Sequence, residues 1–121
     1  MTKKCKCCNE EKYIDDYPAY KMNKHGPYFR NECKKCRSIK AAGWRYKLSF
    51  DEVKKLKETE NCEICNIDLK WSDRYIDHNH INGNVRGILC PRCNSTLELF
   101  EQSKHLIEPS LNYLKKYKQT L

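Results

Sequence analysis

The pattern of polar and apolar residues in the middle of the chain predicts two helices. The first is a basic helix over residues 34–46, with three cations that could fall along one side: Arg37, Lys40 and Arg45. The second begins at Ser49, which forms an S-x-x-E capping box with Glu52. It is expected to run to about Thr59, with Val53 and Leu56 as a narrow apolar stripe.

The second half of the chain predicts two strands followed by helices. Strand character at residues 74–78 is followed by a turn signal, Asn82-Gly83, and by a returning strand in V-R-G-I-L-C. The proline after that strand suits the first turn of a helix, which is predicted over residues 91–104. A final helix is predicted over residues 108–121. The order from residue 74 is therefore strand, loop, strand, helix.

Composition indicates that this chain needs more than a hydrophobic core. It has 121 residues, of which 39% are hydrophobic and 33% charged. A chain this small and polar buries little apolar surface, and such scaffolds are often stabilised by disulfides or metals. Seven aromatic residues are expected to supply the core more than to stack on bases: Tyr13, Tyr17, Tyr20, Tyr28, Phe29, Trp44 and Trp71.

Eight of the nine cysteines form two sets with the same spacing, C-x2-C-x24-C-x2-C. The first quartet is Cys5, Cys8, Cys33 and Cys36, and the second quartet is Cys62, Cys65, Cys90 and Cys93. This spacing is typical of structural zinc sites in reducing compartments, so two structural zinc ions are expected. The run C-K-C-C also allows Cys7 as the partner of Cys5. The tighter C-x2-C knuckle favours Cys8 and leaves Cys7 as a spare thiol.

Net charge is +8 and lies entirely in the first part of the chain. Residues 1–48 contain 13 Lys and Arg against 5 Asp and Glu, whereas residues 49–121 contain 11 of each. A basic half predicts an anionic partner, most simply nucleic acid, although lysines that only maintain solubility would give the same charge. We expect two domains: a four-cysteine zinc module with its basic helix over residues 1–47, and a second domain over residues 48–121.

The run D-H-N-H at residues 77–80 contains potential metal ligands that neither cysteine quartet needs for zinc binding. Asp77 and Asn94 offer hard oxygen atoms, which suit Mg²⁺ or Mn²⁺, and Asn94 directly follows a predicted zinc ligand. Histidine is the side chain that enzymes use most often as a general base, so His78 is a candidate base. In a regular strand Asp77 and His78 would point to opposite faces, so the strand must bend there. Two interpretations stay open: a metal-dependent nuclease site held by zinc, or a zinc module that merely carries histidines.

The segments C-E-I-C and Y-I-D-H-N-H-I-N-G-N-V-R-G-I-L-C-P-R-C-N resemble the recombination endonuclease VII family of phages, within the HNH or ββα-metal nuclease class. The resemblance covers roughly residues 46–117. It implies Asp77 and Asn94 as ligands of one catalytic Mg²⁺ or Mn²⁺, and His78 as the general base. It also implies the second quartet as a structural zinc site, and His80 as a further site histidine that contacts the phosphate.

Two positions depart from that family. Many members have Gly where this chain has Glu98, and the junction-resolving member has an active-site Glu at the position of Leu97. Glu98 lies one turn beyond Asn94 on the same helix face and could substitute, or it could be a solvated surface residue. These differences bear on junction resolution more than on nuclease chemistry.

The resemblance and the residues together predict a small α+β fold. It has a zinc-stapled ββα-metal (HNH, His-Me finger) nuclease core, flanking helices and an N-terminal four-cysteine zinc knuckle module. The predicted function is metal-dependent DNA cleavage by an HNH one-metal mechanism, similar to endonuclease VII. The alternatives are a sequence-specific restriction or homing-type endonuclease and a non-catalytic zinc module that binds DNA.

Partners and location follow from the same reasoning. DNA is the expected partner, contacted by Arg37, Lys40, Arg45 and Arg86, although Arg86 could equally form a structural pair across the hairpin. The first quartet is either a DNA-contact module or only a stabilising staple. A homodimer is expected, because family resolvases act as dimers. The N-terminus has no secretory pattern and no apolar run is long enough to span a membrane. A cytoplasmic protein of a bacterium or a phage-infected host cell is therefore expected.

Overall fold

The computed structural model describes residues 1–117, without the side chains of residues 20, 21 and 23. The chain divides into two compact units, Met1–Lys55 and Leu56–Leu121. Within the described range, no helix has the length and apolar character needed to cross a membrane. The functional division after residue 47 stays a prediction.

Two small antiparallel hairpins open the first unit. Strand β1 (Thr2–Lys4) pairs with β2 (Glu11–Tyr13), and β3 (Ala19–Asn23) pairs with β4 (Gly26–Phe29). The sequence analysis did not predict these strands. Each has three to five residues, which is too short for a recognisable alternation of polar and apolar positions.

Helix α1 (Lys34–Tyr46) has the predicted bounds. Cys33 caps its start, because the Cys33 sulfur accepts a hydrogen bond from the backbone N–H of Cys36. At its end Lys47 adopts a left-handed conformation, with φ of 57°. The N–H groups of Lys47 and Leu48 both donate to the Gly43 carbonyl. Gly43 suits this turn, because a Cβ there would lie 2.8 Å from the carbonyl oxygen of Leu48.

Helix α2 (Phe50–Leu56) has the predicted capping box. The Ser49 N–H donates to the Glu52 carboxylate at 2.8 Å, and the Glu52 N–H donates to Ser49 Oγ at 3.1 Å. The predicted end near Thr59 is wrong by three residues. After Leu56 the Lys57 carbonyl accepts a hydrogen bond from the Arg74 guanidinium at 2.8 Å. An N–H of the Arg74 side chain, and not a backbone N–H from a further helical turn, thus bonds this carbonyl.

The core of the first unit is built around its cysteines. Cys5, Tyr17, Cys33 and Cys36 are buried, and Phe29 and Phe50 pack against them.

The prediction that aromatic residues supply the core is confirmed for Tyr17, which is 1% exposed. It is wrong for Trp44 and Tyr13, which are 90% and 69% exposed. The side chain of Tyr20 lies outside the described residues.

The second unit has the predicted order of strand, loop, strand and helix. Strand β5 (Tyr75–His78) pairs antiparallel with β6 (Val85–Leu89), and helix α3 (Pro91–Gln102) follows. Helix α4 (Lys104–Lys116) begins four residues earlier than predicted and contains Pro109. The proline was expected near the start of the helix. It lies instead in the second turn, where it removes one backbone hydrogen bond without ending the helix.

The core of the second unit lies where β6 meets the second quartet. Its buried members are Cys62, Leu69, Ile88, Leu89 and Cys90. Leu56, Ile76, Cys93 and Leu97 pack against them. The fold is a small α+β fold with two four-cysteine clusters, as predicted.

Candidate active site and metal centres

Each quartet brings its four sulfur atoms within 4.8 Å of one another. The sulfurs of Cys5 and Cys36 are 3.9 Å apart, and those of Cys65 and Cys90 are 3.8 Å apart. A tetrahedron of thiolates with zinc–sulfur distances of about 2.3 Å has edges of about 3.8 Å. Sulfurs in a disulfide lie about 2.05 Å apart, and all nine cysteines are free. Both quartets therefore have the donors and the spacing to bind zinc.

Backbone N–H groups converge on the buried sulfur of Cys5. Those of Cys7, Cys8 and Cys33 lie 3.3, 3.5 and 3.3 Å from it. Burial by itself would raise the pKa of the Cys5 thiol, but these hydrogen bonds lower that pKa to about 6. The fold thus favours the thiolate, the form of cysteine that binds metals.

The second quartet repeats this arrangement at Cys62. Burial would raise the pKa of Cys62, but the backbone N–H groups of Cys65, Cys90 and Ile64 lower it to about 6. Burial and the neighbouring thiols raise the pKa of Cys93 to about 12. The fold thus favours the thiolate at Cys62 and the thiol at Cys93. Zinc binding must release the remaining protons.

Cys8, and not Cys7, completes the first quartet. Cys7 is half-buried and packs against the cluster without joining it. Lys12 also supports the quartet, because its Nζ donates to the Cys33 sulfur at 3.2 Å. Burial would lower the pKa of Lys12, but the Cys33 sulfur raises that pKa above its ordinary value. A cation at this distance offsets part of the negative charge of the thiolates.

The second quartet fixes the junction between β6 and α3. Cys90 is the N-cap of α3, and its sulfur accepts the N–H of Cys93 at 3.3 Å. Pro91 is the first helical residue, as predicted. Asn94 follows in the first turn, and its N–H donates to the Cys90 carbonyl at 3.0 Å. Since α3 packs against both β5 and β6, Asn94 belongs to the same ββα unit as Asp77 and His78.

Glu63 joins the first knuckle of the second quartet to β6, a role that the sequence analysis missed. Its carboxylate accepts the N–H of Ile88 at 3.0 Å, and its own N–H donates to the Ile88 carbonyl at 3.1 Å. Gly87 makes this approach possible, because a Cβ there would lie 1.7 Å from Glu63 Oε2. In the sequence, the glycine of V-R-G was the feature that indicated a close approach of another group to this strand.

The pairing of β5 with β6 is irregular between Asp77 and His78. Asp77 pairs with Gly87, but His78 pairs with Val85, so Arg86 is the extra residue of a bulge. A bulge breaks the alternation of side chains along the strand and re-aims them. The extra residue lies in β6, whereas β5 is continuous from Tyr75 to His78. The bend expected between Asp77 and His78 therefore stays a prediction.

Asp77 is the buried polar residue of the second unit, at 6% exposure. Both of its carboxylate oxygens accept hydrogen bonds from Arg86, from Nε at 2.7 Å and from Nη2 at 2.9 Å. Nη1 of Arg86 donates to Glu101 on α3 at 2.6 Å. These bonds, chiefly the one to Asp77, raise the pKa of Arg86 above its ordinary value. The pairing across the hairpin that was an alternative role for Arg86 is therefore present.

The two histidines lie together at the end of β5. The ring centroids of His78 and His80 are 4.6 Å apart, with the ring planes inclined by 45°. The loop after them is ordered by Asn79, whose side-chain oxygen accepts the N–H groups of Ile81 and Asn82 at 2.8 and 3.2 Å. The predicted turn at Asn82-Gly83 is present, with φ of 78° at Gly83.

A cavity of about 350 Å³ opens beside His80. Its lining includes His80, Arg86, Glu98, Glu101 and Lys104. Glu98, which the sequence left between a site role and a surface role, lines this cavity. The cavity presents cations and carboxylates together, next to the Arg86–Asp77 pair.

The predicted DNA-contact residues of α1 differ in their surroundings. Arg37 lies 3.7 Å from the Glu32 carboxylate, and Lys40 also forms an ion pair with Glu32. Arg45 is exposed in the last turn of α1. Nearby, a cleft of about 470 Å³ is lined by Lys6, Arg30, Arg37 and Glu32, with Phe29 and Asn31.

Comparisons with known proteins gave one family match and one structural match. The sequence profile of recombination endonuclease VII matches residues 39–116. The crystal structure of the beta-beta-alpha-Me type II restriction endonuclease Hpy99I matches at 30% sequence identity, with a TM-score of 0.42. That match covers 96% of this chain and 66% of the Hpy99I chain, so this chain spans slightly less than two thirds of that enzyme's length. Comparison with curated proteins gave no significant match.

The family match includes all of the second quartet, the ββα unit and both departures at Leu97 and Glu98. It extends over well over half of the 121 residues. The chain belongs to the recombination endonuclease VII family.

Proposed function

We propose that this protein is a metal-dependent DNA endonuclease that works by an HNH one-metal mechanism. The observation that carries the proposal is the end of β5, where the buried carboxylate of Asp77 is followed directly by His78 at the start of an ordered loop. The second quartet holds the adjoining helix at its first turn. A catalytic site needs such rigid support, and this chain has little other core to provide it.

The residues fit a hard divalent cation. Asp77 already binds a cation, the Arg86 guanidinium, through both carboxylate oxygens. Asn94 would add an amide oxygen from α3, and oxygen donors of this kind suit Mg²⁺ or Mn²⁺. When bound, such a cation stabilises negative charge on the scissile phosphate and on the leaving oxygen.

The histidines would carry the proton transfer and the phosphate contact. His78 is half-buried at the end of β5 and would take the proton of the attacking water as general base. His80 is exposed on the loop and contacts the His78 ring. It would orient the phosphate and hold the imidazole of His78 in place.

The quartets would hold two structural zinc ions, which supply no open coordination position for chemistry. The basic first unit would bind the DNA backbone through Arg45 and the cleft around Arg37. Cleavage of both strands would need two active sites, so we propose a homodimer. Exposed apolar residues on α3 and α4, among them Leu99, Phe100, Leu106 and Tyr113, offer a surface for it. A monomer mass in solution scattering would contradict this part.

The test is cleavage of supercoiled plasmid and of a synthetic four-way junction by the zinc-loaded protein. Cleavage is expected with Mg²⁺ or Mn²⁺, and none is expected when the zinc-loaded protein is assayed without either ion. The Asp77→Asn protein should lose cleavage by at least about a hundredfold. Equal cleavage by Asp77→Asn would contradict the proposed role of Asp77 in the metal site. Tight binding without any cleavage would favour the non-catalytic zinc module. The preferred substrate would distinguish a junction resolvase from a restriction-type enzyme.

A further inference from the structure

Arg86 uses different nitrogens for its two carboxylate partners. Nε and Nη2 donate to Asp77, whereas Nη1 donates to Glu101. The guanidinium can therefore leave Asp77 and keep its contact with Glu101. Glu101 was not among the site residues predicted from the sequence.

The two carboxylates differ in their access to solvent. The side chain of Asp77 is 8% exposed, and those of Glu101 and Arg86 are 27% and 35% exposed. The 350 Å³ cavity is lined by both Arg86 and Glu101. It leaves the guanidinium room to move toward Glu101 and away from the buried Asp77.

Glu101 lies on the same helix as the proposed metal ligand Asn94. The two are seven residues apart, which is about two turns and places them on one face of α3. The second quartet, which holds α3 at its first turn, thus also sets the position of Glu101. The ββα unit supplies both the proposed cation ligands and a second carboxylate for Arg86.

A divalent cation and Arg86 compete for Asp77. Both Asp77 oxygens are engaged by the guanidinium, and two cations on one buried carboxylate repel each other strongly in a region of low dielectric. Binding of the cation must therefore weaken the Arg86–Asp77 pair, and the effect is reciprocal.

We propose that Glu101 is a positioning residue, which holds Arg86 at the edge of the site and accepts its guanidinium when a divalent cation binds to Asp77. This inference rests on the proposed function, because it assumes that the cation binds there. Glu101 then lowers the cost of displacing Arg86. It also keeps a cation beside the cavity, where Arg86 is available to a phosphate.

The test measures Mn²⁺ binding to the zinc-loaded protein without DNA, from the electron paramagnetic resonance signal of free Mn²⁺. Glu101→Gln should weaken Mn²⁺ binding by about fivefold or more, because Arg86 then has only Asp77 as a carboxylate partner. Arg86→Gln should strengthen binding, since the competing cation is gone. Glu98→Gln is the matched control. It removes the same charge from the same helix and cavity, and its effect should be smaller.

A double-mutant cycle separates action through Arg86 from direct attraction of the cation. In the Arg86→Gln background, Glu101→Gln should change Mn²⁺ affinity by less than about twofold. An equal effect of Glu101→Gln in both backgrounds, or no effect in either, would overturn the proposal. Circular dichroism and zinc content check that each variant folds. If Arg86→Gln does not fold, Arg86→Met takes its place, because it keeps most of the aliphatic side chain and removes the competing charge.

Asp77→Asn separates failure of this inference from failure of the proposed function. It should abolish Mn²⁺ binding. If binding survives in Asp77→Asn, the proposed metal site is wrong, and the role of Glu101 falls with it. If binding is lost there but does not respond to Glu101→Gln, only the role of Glu101 is wrong.

Discussion

At the scale of single residues, eight of the nine cysteines form the two quartets, and Cys7 belongs to neither. Cys7 lies between two members of the first quartet in sequence, yet its sulfur is outside the cluster. The spacing rule was sufficient to separate Cys7 from Cys8. The same rule could not show Glu63 or Glu101, because their contacts depend on how strands and helices pack.

Removing a quartet member should cost one zinc ion, whereas removing Cys7 should cost none. Cys36→Ser is expected to bind one zinc per chain and Cys7→Ser to bind two, because Cys7 makes no part of the sulfur tetrahedron. Native mass spectrometry gives the count. One zinc in Cys7→Ser would mean that Cys7, and not Cys8, is the ligand.

Acidification should release zinc and destabilise the fold. The folded pKa of Cys5 and of Cys62 is about 6, below the value of about 8.5 for a cysteine in an unfolded chain. A lowered pKa contributes stability that is complete above the unfolded value and is lost as the pH falls through the folded value. Zinc lowers the effective pKa further, so release is expected between about pH 6 and pH 4. A zinc-sensitive dye and thermal unfolding should report it together, and release already above pH 7 would contradict this account.

At the scale of elements, the helix starts and turns that are marked by characteristic residues were the most predictable. The proline that begins α3, the capping box of α2 and the Asn-Gly turn all lie where the sequence indicated. Ends that depend on tertiary contacts were not predictable. Just beyond the end of helix α2, for example, the Lys57 carbonyl is bonded by Arg74, which is 17 residues further along the chain.

The capping box of α2 should contribute measurably to stability. Ser49→Ala removes the acceptor of the Glu52 N–H and should lower the free energy of unfolding by about 1 kcal/mol. Ser95→Ala is the control, because Ser95 is an exposed residue within α3 and alanine is the better helix former there. Urea denaturation of the zinc-loaded proteins measures both. Equal stability of the two variants would show that the box is not formed in solution.

The contact between Gly87 and Glu63 should be sensitive to a single methyl group. Gly87→Ala would displace the Glu63 carboxylate from the Ile88 N–H and lower the free energy of unfolding by about 1 to 3 kcal/mol. In a Glu63→Ala background the clash is gone, so the second substitution should cost much less. Additive costs in the double variant would argue against the contact.

On the scale of the whole molecule, net positive charge lies in the first unit and the proposed catalytic residues lie in the second. The first unit has 15 Lys and Arg against 7 Asp and Glu, and the second has 9 of each. The pattern of the chain and the resemblance of its motifs predicted the α+β class and the family. Composition and motif spacing did not show every feature. They did not foretell the two N-terminal hairpins or the exposure of Trp44, because neither depends on a periodic pattern.

The charge of the first unit should govern the salt dependence of DNA binding. Arg45→Gln should weaken binding about equally for all sequences and reduce the slope of log affinity against log salt by about one. Lys115→Gln, in the second unit, whose net charge is zero, removes the same charge and should leave the slope nearly unchanged. Fluorescence anisotropy over a salt series measures both slopes. If the two variants behave alike, the first unit is not the DNA-contact surface.

The measurement that tests the central claim most directly is the rate of Mg²⁺-dependent plasmid cleavage by His78→Ala, beside His105→Ala as a histidine from α4 outside the site. Both proteins must first show two zinc ions and a native circular dichroism spectrum. The account predicts that His78→Ala loses about 10² to 10⁴ in rate, as expected when a general base is removed, and that His105→Ala cleaves like the unmodified protein. Full metal-dependent cleavage by a folded His78→Ala protein would contradict it.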